Sequence, residues 1–218
     1  NDLEDFRVTA AIKGATIPEA IRHLIGFYPI SMTMVGDSII NVECSQKTAL
    51  RYKGRVIDEK GEPAEYANVV LLSPADSSFL AGGVSNESGY FVIPCNVRRV
   101  IAKVTYVGYK SKLWTAASPD LGTIRLQADR YTLKGVTVKT QRPQYRAAKG
   151  GMTIDVEHSV LSKMGTAVDV LGQLPRVTAS GSDIKVFAKG TPLIYINNKK
   201  VTDNRELTEL KSENIKNV

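Results

Sequence analysis

Between residues 51 and 127 the chain contains no stretch in which apolar residues recur at helical spacing; short β-rich runs alternate with turn residues instead. Residues 52–58 form one run, closed by Glu59-Lys-Gly-Glu-Pro63, and residues 67–72 form the next. Asn86-Glu-Ser-Gly89 then leads into Tyr90-Phe-Val-Ile93, and further runs cover 100–106, 111–116 and 122–126. Runs this short bury their apolar faces only by stacking sheet on sheet, so residues 50–127 are expected to form a seven-strand-type Greek-key β-sandwich. Its predicted core is Val56, Val69, Leu71, Phe91, Ile93, Ile101, Val104 and Ile124. Each contributes about 1.5–3 kcal/mol on burial.

Residues 1–47 read differently. An extended run at 6–13 precedes Gly14-Ala-Thr-Ile-Pro-Glu-Ala-Ile-Arg-His-Leu-Ile-Gly26. Thr16 at the N-cap with Glu19 three residues on forms a capping box, Pro18 suits the first turn, and Gly26 suits the stop. Ile17, Ala20, Ile21, Leu24 and Ile25 fall on one face of that helix, which must cover a sheet. Two apolar runs, 30–35 and 38–44, flank Gly36-Asp37 and read as a hairpin, giving β-α-β-β overall. Residues 128–150 are basic, with Pro and Gly-Gly punctuation that favours a linker. Residues 151–218 read as α+β: strands at 152–156, 184–187 and 193–197, a helix at 167–174 ended by Pro175, a turn at Asn197-Asn198, and a short helix at 205–210. This last piece is expected to stop before its sheet is complete. The whole chain is therefore α+β and mostly β.

The chain has 43% apolar residues and 23% charged ones, the composition of a folded protein. Its net charge of +7 is dispersed, with no basic run interleaved with aromatics, which argues against nucleic-acid binding. No apolar stretch approaches the roughly 20 residues of a membrane helix, and the sequence starts at Asn1 with neither an initiator Met nor a signal peptide, as a piece of a longer protein would. Cys44 and Cys95 are far apart and are expected to be buried thiols, with an interdomain bridge as the alternative. An enzyme needs a constellation of reactive groups. His23 and His158 fall in different pieces and none of the common hydrolase, zinc or nucleotide motifs occurs, so no catalytic residue, metal or cofactor is assigned. The acidic turn of Asp58, Glu59 and Glu62 is explained by turn chemistry more simply than by calcium.

Three sets of motifs carry a resemblance. Ala167-Val-Asp-Val-Leu-Gly-Gln-Leu-Pro-Arg-Val177, Ile184-Lys-Val-Phe, Pro192-Leu-Ile-Tyr-Ile-Asn-Asn-Lys-Lys-Val201 and Asn214-Ile-Lys-Asn-Val218 look like the first half of the plug domain of TonB-dependent receptors, with Arg176 where Gly is usual. Gly54-x-Val56-x-Asp58-x-x-Gly61-x-Pro63, Ala67-x-Val69-x-Leu71, Gly89-Tyr-Phe91, Tyr106-Val-Gly-Tyr109 and Leu121-Gly-Thr-Ile-x-Leu126 resemble the carboxypeptidase-regulatory-like sandwich that precedes plugs in Bacteroidetes-type receptors. Gly14-Ala-Thr-x-x-Glu-Ala-Ile21 and Gly36-Asp-Ser-Ile-Ile40 are similar to the second half of the short N-terminal domain of secretins and TonB-dependent receptors.

The resemblance implies a short N-terminal domain at 1–47, a regulatory-like sandwich at 50–127, a linker at 128–150 and a truncated plug at 151–218, on the periplasmic side of the outer membrane. It implies no enzymatic activity. Leu133-Lys-Gly-Val-Thr-Val138 occupies the place of the TonB box. Leu133, Val136, Thr137 and Val138 would then pair as a strand with the C-terminal domain of TonB, taking affinity from backbone hydrogen bonds; the same residues also suit a last sandwich strand or an inert linker. Other implied partners are a periplasmic anti-sigma regulator for the first domain and the receptor's own β-barrel, which imports a nutrient such as a glycan or siderophore. The alternative is a secreted or surface sandwich that recognises protein or carbohydrate. An accessory domain of a carboxypeptidase is disfavoured, since no zinc-ligand set accompanies the sandwich.

Overall fold

Thr16 and Glu19 start the first helix as the capping pattern predicts. Glu19 Oε2 accepts from the Thr16 backbone N–H at 2.9 Å and from its hydroxyl at 2.8 Å, and α1 runs Ile17–Ile25. The hairpin follows as β1 (Ile30–Val35) and β2 (Ile39–Cys44), antiparallel from Ile30↔Cys44 to Val35↔Ile39. Gly36 takes φ +64 at its tip, a conformation that favours glycine. One predicted face residue of α1 departs from expectation. Ile17 is 66% exposed, whereas Ile25 is buried. These elements belong to a computed structural model that describes residues 11–25, 28–46, 48–129, 145–148, 151–181, 183–187 and 189–218. Of the strand expected at 6–13, residues 6–10 lie outside that set and 11–13 join no regular element.

The chain divides into two compact units, Asn1–Tyr106 with Lys110–Ala128, and Val107–Tyr109 with Asp129–Val218. Unit 1 contains the hairpin and a seven-strand sandwich: β3 (Arg51–Ile57), β4 (Asn68–Leu72), β5 (Phe79–Val84), β6 (Tyr90–Pro94), β7 (Val100–Thr105), β8 (Lys112–Ala116) and β9 (Asp120–Arg125). One sheet has the order β6-β3-β9 and the other β5-β4-β7-β8, so β4 pairs with β7 across the sequence. The first and last strands, β3 and β9, are neighbours and run parallel. Seven of the eight predicted core residues are buried; Ile101 is not. In β7 burial alternates through Val100, Ala102 and Val104, and Ile101 sits on the other parity, facing away from the core. Strand β5 is not evident from sequence because two glycines, Gly82 and Gly83, interrupt its apolar run.

Those glycines have a packing reason. A Cβ on Gly83 would meet Ile93 Cγ1 at 2.8 Å, and one on Gly54 would meet the Gly122 carbonyl oxygen at 2.8 Å and the Phe91 ring at 2.9 Å. Gly89 carries φ +80 and presses its backbone on the Val56 carbonyl. Gly54 and Gly89 of the sandwich motifs are therefore positions of close backbone approach.

Unit 2 corrects the linker reading at its C-terminal end. Tyr145–Ala148 is strand β10, paired antiparallel with β11 (Gly151–Ile154) in the register Ala148↔Gly151. Gly151 is itself the first residue of β11, so a glycine that reads as linker punctuation in sequence belongs to a paired strand. A 3-10 turn at Val160–Lys163 leads to α2 (Ala167–Gly172), capped by a full box in which Thr166 and Asp169 bond reciprocally. The rest is β12 (Val177–Ser180) with β13 (Asp183–Val186), then β14 (Tyr195–Ile196) with β15 (Lys199–Lys200), then α3 (Arg205–Glu209). Asn197 and Asn198 both take positive φ, 49° and 66°, which is the two-residue hairpin turn the asparagines predicted. The expected open end is partly paired: Ile154 and Val218 exchange backbone hydrogen bonds at 2.7 and 3.0 Å, and Lys216 accepts from Val156 at 3.1 Å. Val107, Ile154, Val156, Leu161, Val170 and Leu174 form the core beneath these strands.

Candidate functional site

The candidate TonB-contacting residues Leu133, Val136, Thr137 and Val138 lie outside the described residues. What the structure gives is their flanks. On one side the chain leaves β9 with Leu126 N–H donating to Ile57 O at 2.9 Å. On the other it enters β10 at Tyr145.

The second candidate region is the edge of the β1–β2 hairpin. Cross-strand partners place Ile30, Met32, Met34, Ile40, Val42 and Cys44 on one face, every one apolar. Its root is anchored, with Tyr28, Cys44 and Val92 buried together and Ile30 packed against them. The Cys44 thiol donates to Gln46 O at 2.9 Å, and burial is the largest factor pushing the Tyr28 phenol upward, with Cys44 next. Its tip is bare: Met34, Val35 and Ile39 are 67%, 54% and 60% exposed. The two apolar runs flanking Gly36-Asp37 revealed this hairpin, but not which end would be covered.

Beside the Tyr28–Cys44–Val92 cluster, a side-chain hydrogen bond ties the first piece to the sandwich within unit 1. Asn86 is 1% exposed; its Oδ1 accepts from Ser88 N–H at 3.1 Å and Tyr90 N–H at 2.9 Å, while Nδ2 donates to Leu24 O at 2.8 Å in the last turn of α1. The sequence showed only a turn residue here, and the donation to Leu24 has no sequence signal.

The remaining polar residues singled out from sequence have local roles. Asp58 is buried, and its Oδ1 accepts from the N–H groups of Lys60 at 2.8 Å and Glu62 at 2.9 Å, the turn chemistry expected of it. Arg125 donates to the Glu59 carbonyl at 2.9 Å, closing the same turn against β9. His158 lies 3.0 Å from Asp155 Oδ2 on the surface. Cys44 and Cys95 are both buried free thiols. Among the described residues no group of His, Cys, Asp and Glu gathers as a metal site. No described helix is long and apolar enough to cross a membrane.

No family model matches the chain, and no curated protein does. Among solved structures the chain is similar to a cohesin–X-dockerin complex from Acetivibrio cellulolyticus at 15% identity and TM-score 0.32, over 42% of this chain and 66% of that one. A 9R-lipoxygenase from Cyanothece PCC8801 matches at 11% identity and TM-score 0.30, over 65% and 24%. Phospholipase PlaB from Legionella pneumophila matches at 11% and 0.31, over 57% and 34%. Each match takes in less than two-thirds of the other protein's length, and similarity this slight carries no functional argument.

Proposed function

We propose that the chain is a periplasm-facing signalling and gating region of an outer-membrane TonB-dependent receptor that imports a nutrient. The observation that carries this reading is the order of three motif sets along one chain, together with the structural work their residues do. Gly54, Asp58, Gly89 and Phe91 occupy the close approaches and turns of a seven-strand sandwich, so the sandwich motif is more than a chance string. Downstream, the Asp-Val-Leu motif forms a capped helix whose Val168 and Val170 are buried.

In this mechanism substrate binding to the barrel and plug changes the exposure of Leu133–Val138. TonB adds a strand to that segment and force displaces the plug, and the residues 1–47 present a surface to an anti-sigma regulator. Strand addition needs only an extended, unpaired backbone with alternating side chains, which Val136 and Val138 on one side would supply. The test is a titration of this chain with the C-terminal domain of TonB from the same organism, beside a variant lacking residues 133–138. Binding that vanishes on deletion supports both the receptor reading and the contact segment. Binding by neither removes the segment from the mechanism.

A further inference from the structure

The sandwich protects its edges and the hairpin does not. Strand β5 is bulged at Leu71/Leu72, β6 ends in Pro94, β8 opens with Lys112, and β9 carries Asp120, Arg125 and a register shift against β3. Such devices keep strangers from adding a strand. The hairpin pairs in unbroken register over six rungs, with neither bulge nor proline in either strand. Its one charged strand residue is Glu43, exposed on the side opposite the apolar face and held by Asn41 Nδ2 at 2.8 Å.

Ladder geometry says which backbone groups are on offer. Ser45 N–H donates to Pro29 O at 2.8 Å, so the odd-numbered rungs of β1 are the hydrogen-bonded ones and Met32↔Val42 and Met34↔Ile40 are not. The N–H and C=O of Ile40 and Val42 therefore point away from β1, and no described residue bonds to them. Their side chains lie on the apolar face. Across residues 28–46 the only charges are Asp37 and Glu43, in a chain whose net charge is +7.

We propose that the outer edge of β2 receives an extended strand from a partner protein, in which apolar residues alternate with lysine or arginine. Apolar residues of that strand continue the face of Ile40 and Val42, and a basic residue on its other side stands cross-strand from Glu43. The proposal rests on reading residues 1–47 as partner-facing and names the chemistry of that partner. TonB capture uses residues 133–138 instead, so the two readings fail separately.

The probes are two labelled synthetic heptapeptides, one alternating Val with Lys and one alternating Val with Glu, titrated into the full chain by fluorescence anisotropy. The Val-Lys peptide binds and the Val-Glu peptide does not. Glu43→Lys reverses that preference. Val42→Pro removes an outward N–H while leaving the ladder to β1 intact, because Pro is tolerated where the N–H faces solvent; it weakens Val-Lys binding about tenfold or more, a loss of roughly 1.4 kcal/mol. Circular dichroism of both variants matching the parent shows that the hairpin is retained. Equal binding of the two peptides, no binding of either, or undiminished binding by Val42→Pro overturns the proposal. So does binding that appears only after residues 1–10 are removed, which would assign the edge to the chain's own N-terminal segment. A dimer of the chain that Val42→Pro dissociates would give the edge to a second copy, and equally overturn it.

Discussion

Replacing Asn86 with Ala removes the acceptor for two backbone N–H groups and the donor to Leu24 O, all at a side chain that water barely reaches. A net contribution of about 1 kcal/mol for each hydrogen bond gives about 3 kcal/mol, a large fraction of the 5–15 kcal/mol that usually holds a domain. The partition is testable because Asn86→Asp keeps the acceptor for Ser88 and Tyr90 yet loses the donor, and sets a carboxylate against the carbonyl end of α1. Its cost falls on the α1 contact alone, at about 1–3 kcal/mol. Urea denaturation of the whole chain gives the two losses of stability. Amide hydrogen exchange in α1 then separates them: both variants speed exchange there, but only Asn86→Ala loosens the turn that ends at Tyr90. A loss below about 0.5 kcal/mol in Asn86→Ala would refute the additive reading. Unchanged exchange in α1 with Asn86→Asp would refute the contact to Leu24.

Ser85 is buried with its hydroxyl donating to Ala64 O at 2.5 Å and accepting from Ala67 N–H at 2.8 Å, so Ser85→Ala strands two backbone groups and costs about 2–3 kcal/mol, read from the denaturation midpoint. Gly89→Ala forces a Cβ into the left-handed region against the Val56 carbonyl; strain of about 1–2 kcal/mol plus crowding of about 1–3 kcal/mol lowers stability by about 2–5 kcal/mol in the same assay. The backbone N–H of His158, before its ring, holds the Asp155 carboxyl below the ordinary aspartate value, and hydrogen bonds from Ser78 do the same for Asp76. Both depressions contribute stability that is present above the unfolded aspartate value and lost as pH falls through the folded one, so the midpoint should decline in the acid range below about pH 4. Because the main bond to Asp155 is from backbone, His158→Ala should leave its carboxyl titrating below an ordinary aspartate by NMR, and a full return to the ordinary value would refute that cause.

Much of the sandwich was legible because strand faces alternate and turns have their own residues. Val56, Leu71, Phe91 and Ile124 could be placed inside from parity and size alone. Ile101 could not, since two adjacent apolar residues, Val100 and Ile101, leave the parity of β7 open until its partners Thr115 and Ala116 are known. Strand β5 escaped because its glycines answer to Ile93 on another strand, a contact without local signature. Likewise β12 reads as the tail of a helix stop, and only its pairing with β13 makes it a strand. Of the candidate contacts, the hairpin was visible as a hairpin, but the lack of any bulge or proline along β2 stood out only beside the guarded edges of the sandwich. Asn86 looked like turn punctuation, and its reach to Leu24 spans too many residues for any spacing rule.

The parallel pairing of β3 with β9 has a mechanical consequence. The chain enters this sheet at Arg51 and leaves it at Arg125, on neighbouring strands that point the same way. Tension applied between entry and exit therefore slides one strand along the other, and the rungs from Lys53↔Asp120 to Ile57↔Arg125 share the load at once instead of peeling singly. With the chain before β3 held, a pull on the segment that follows β9 would load this pair in shear.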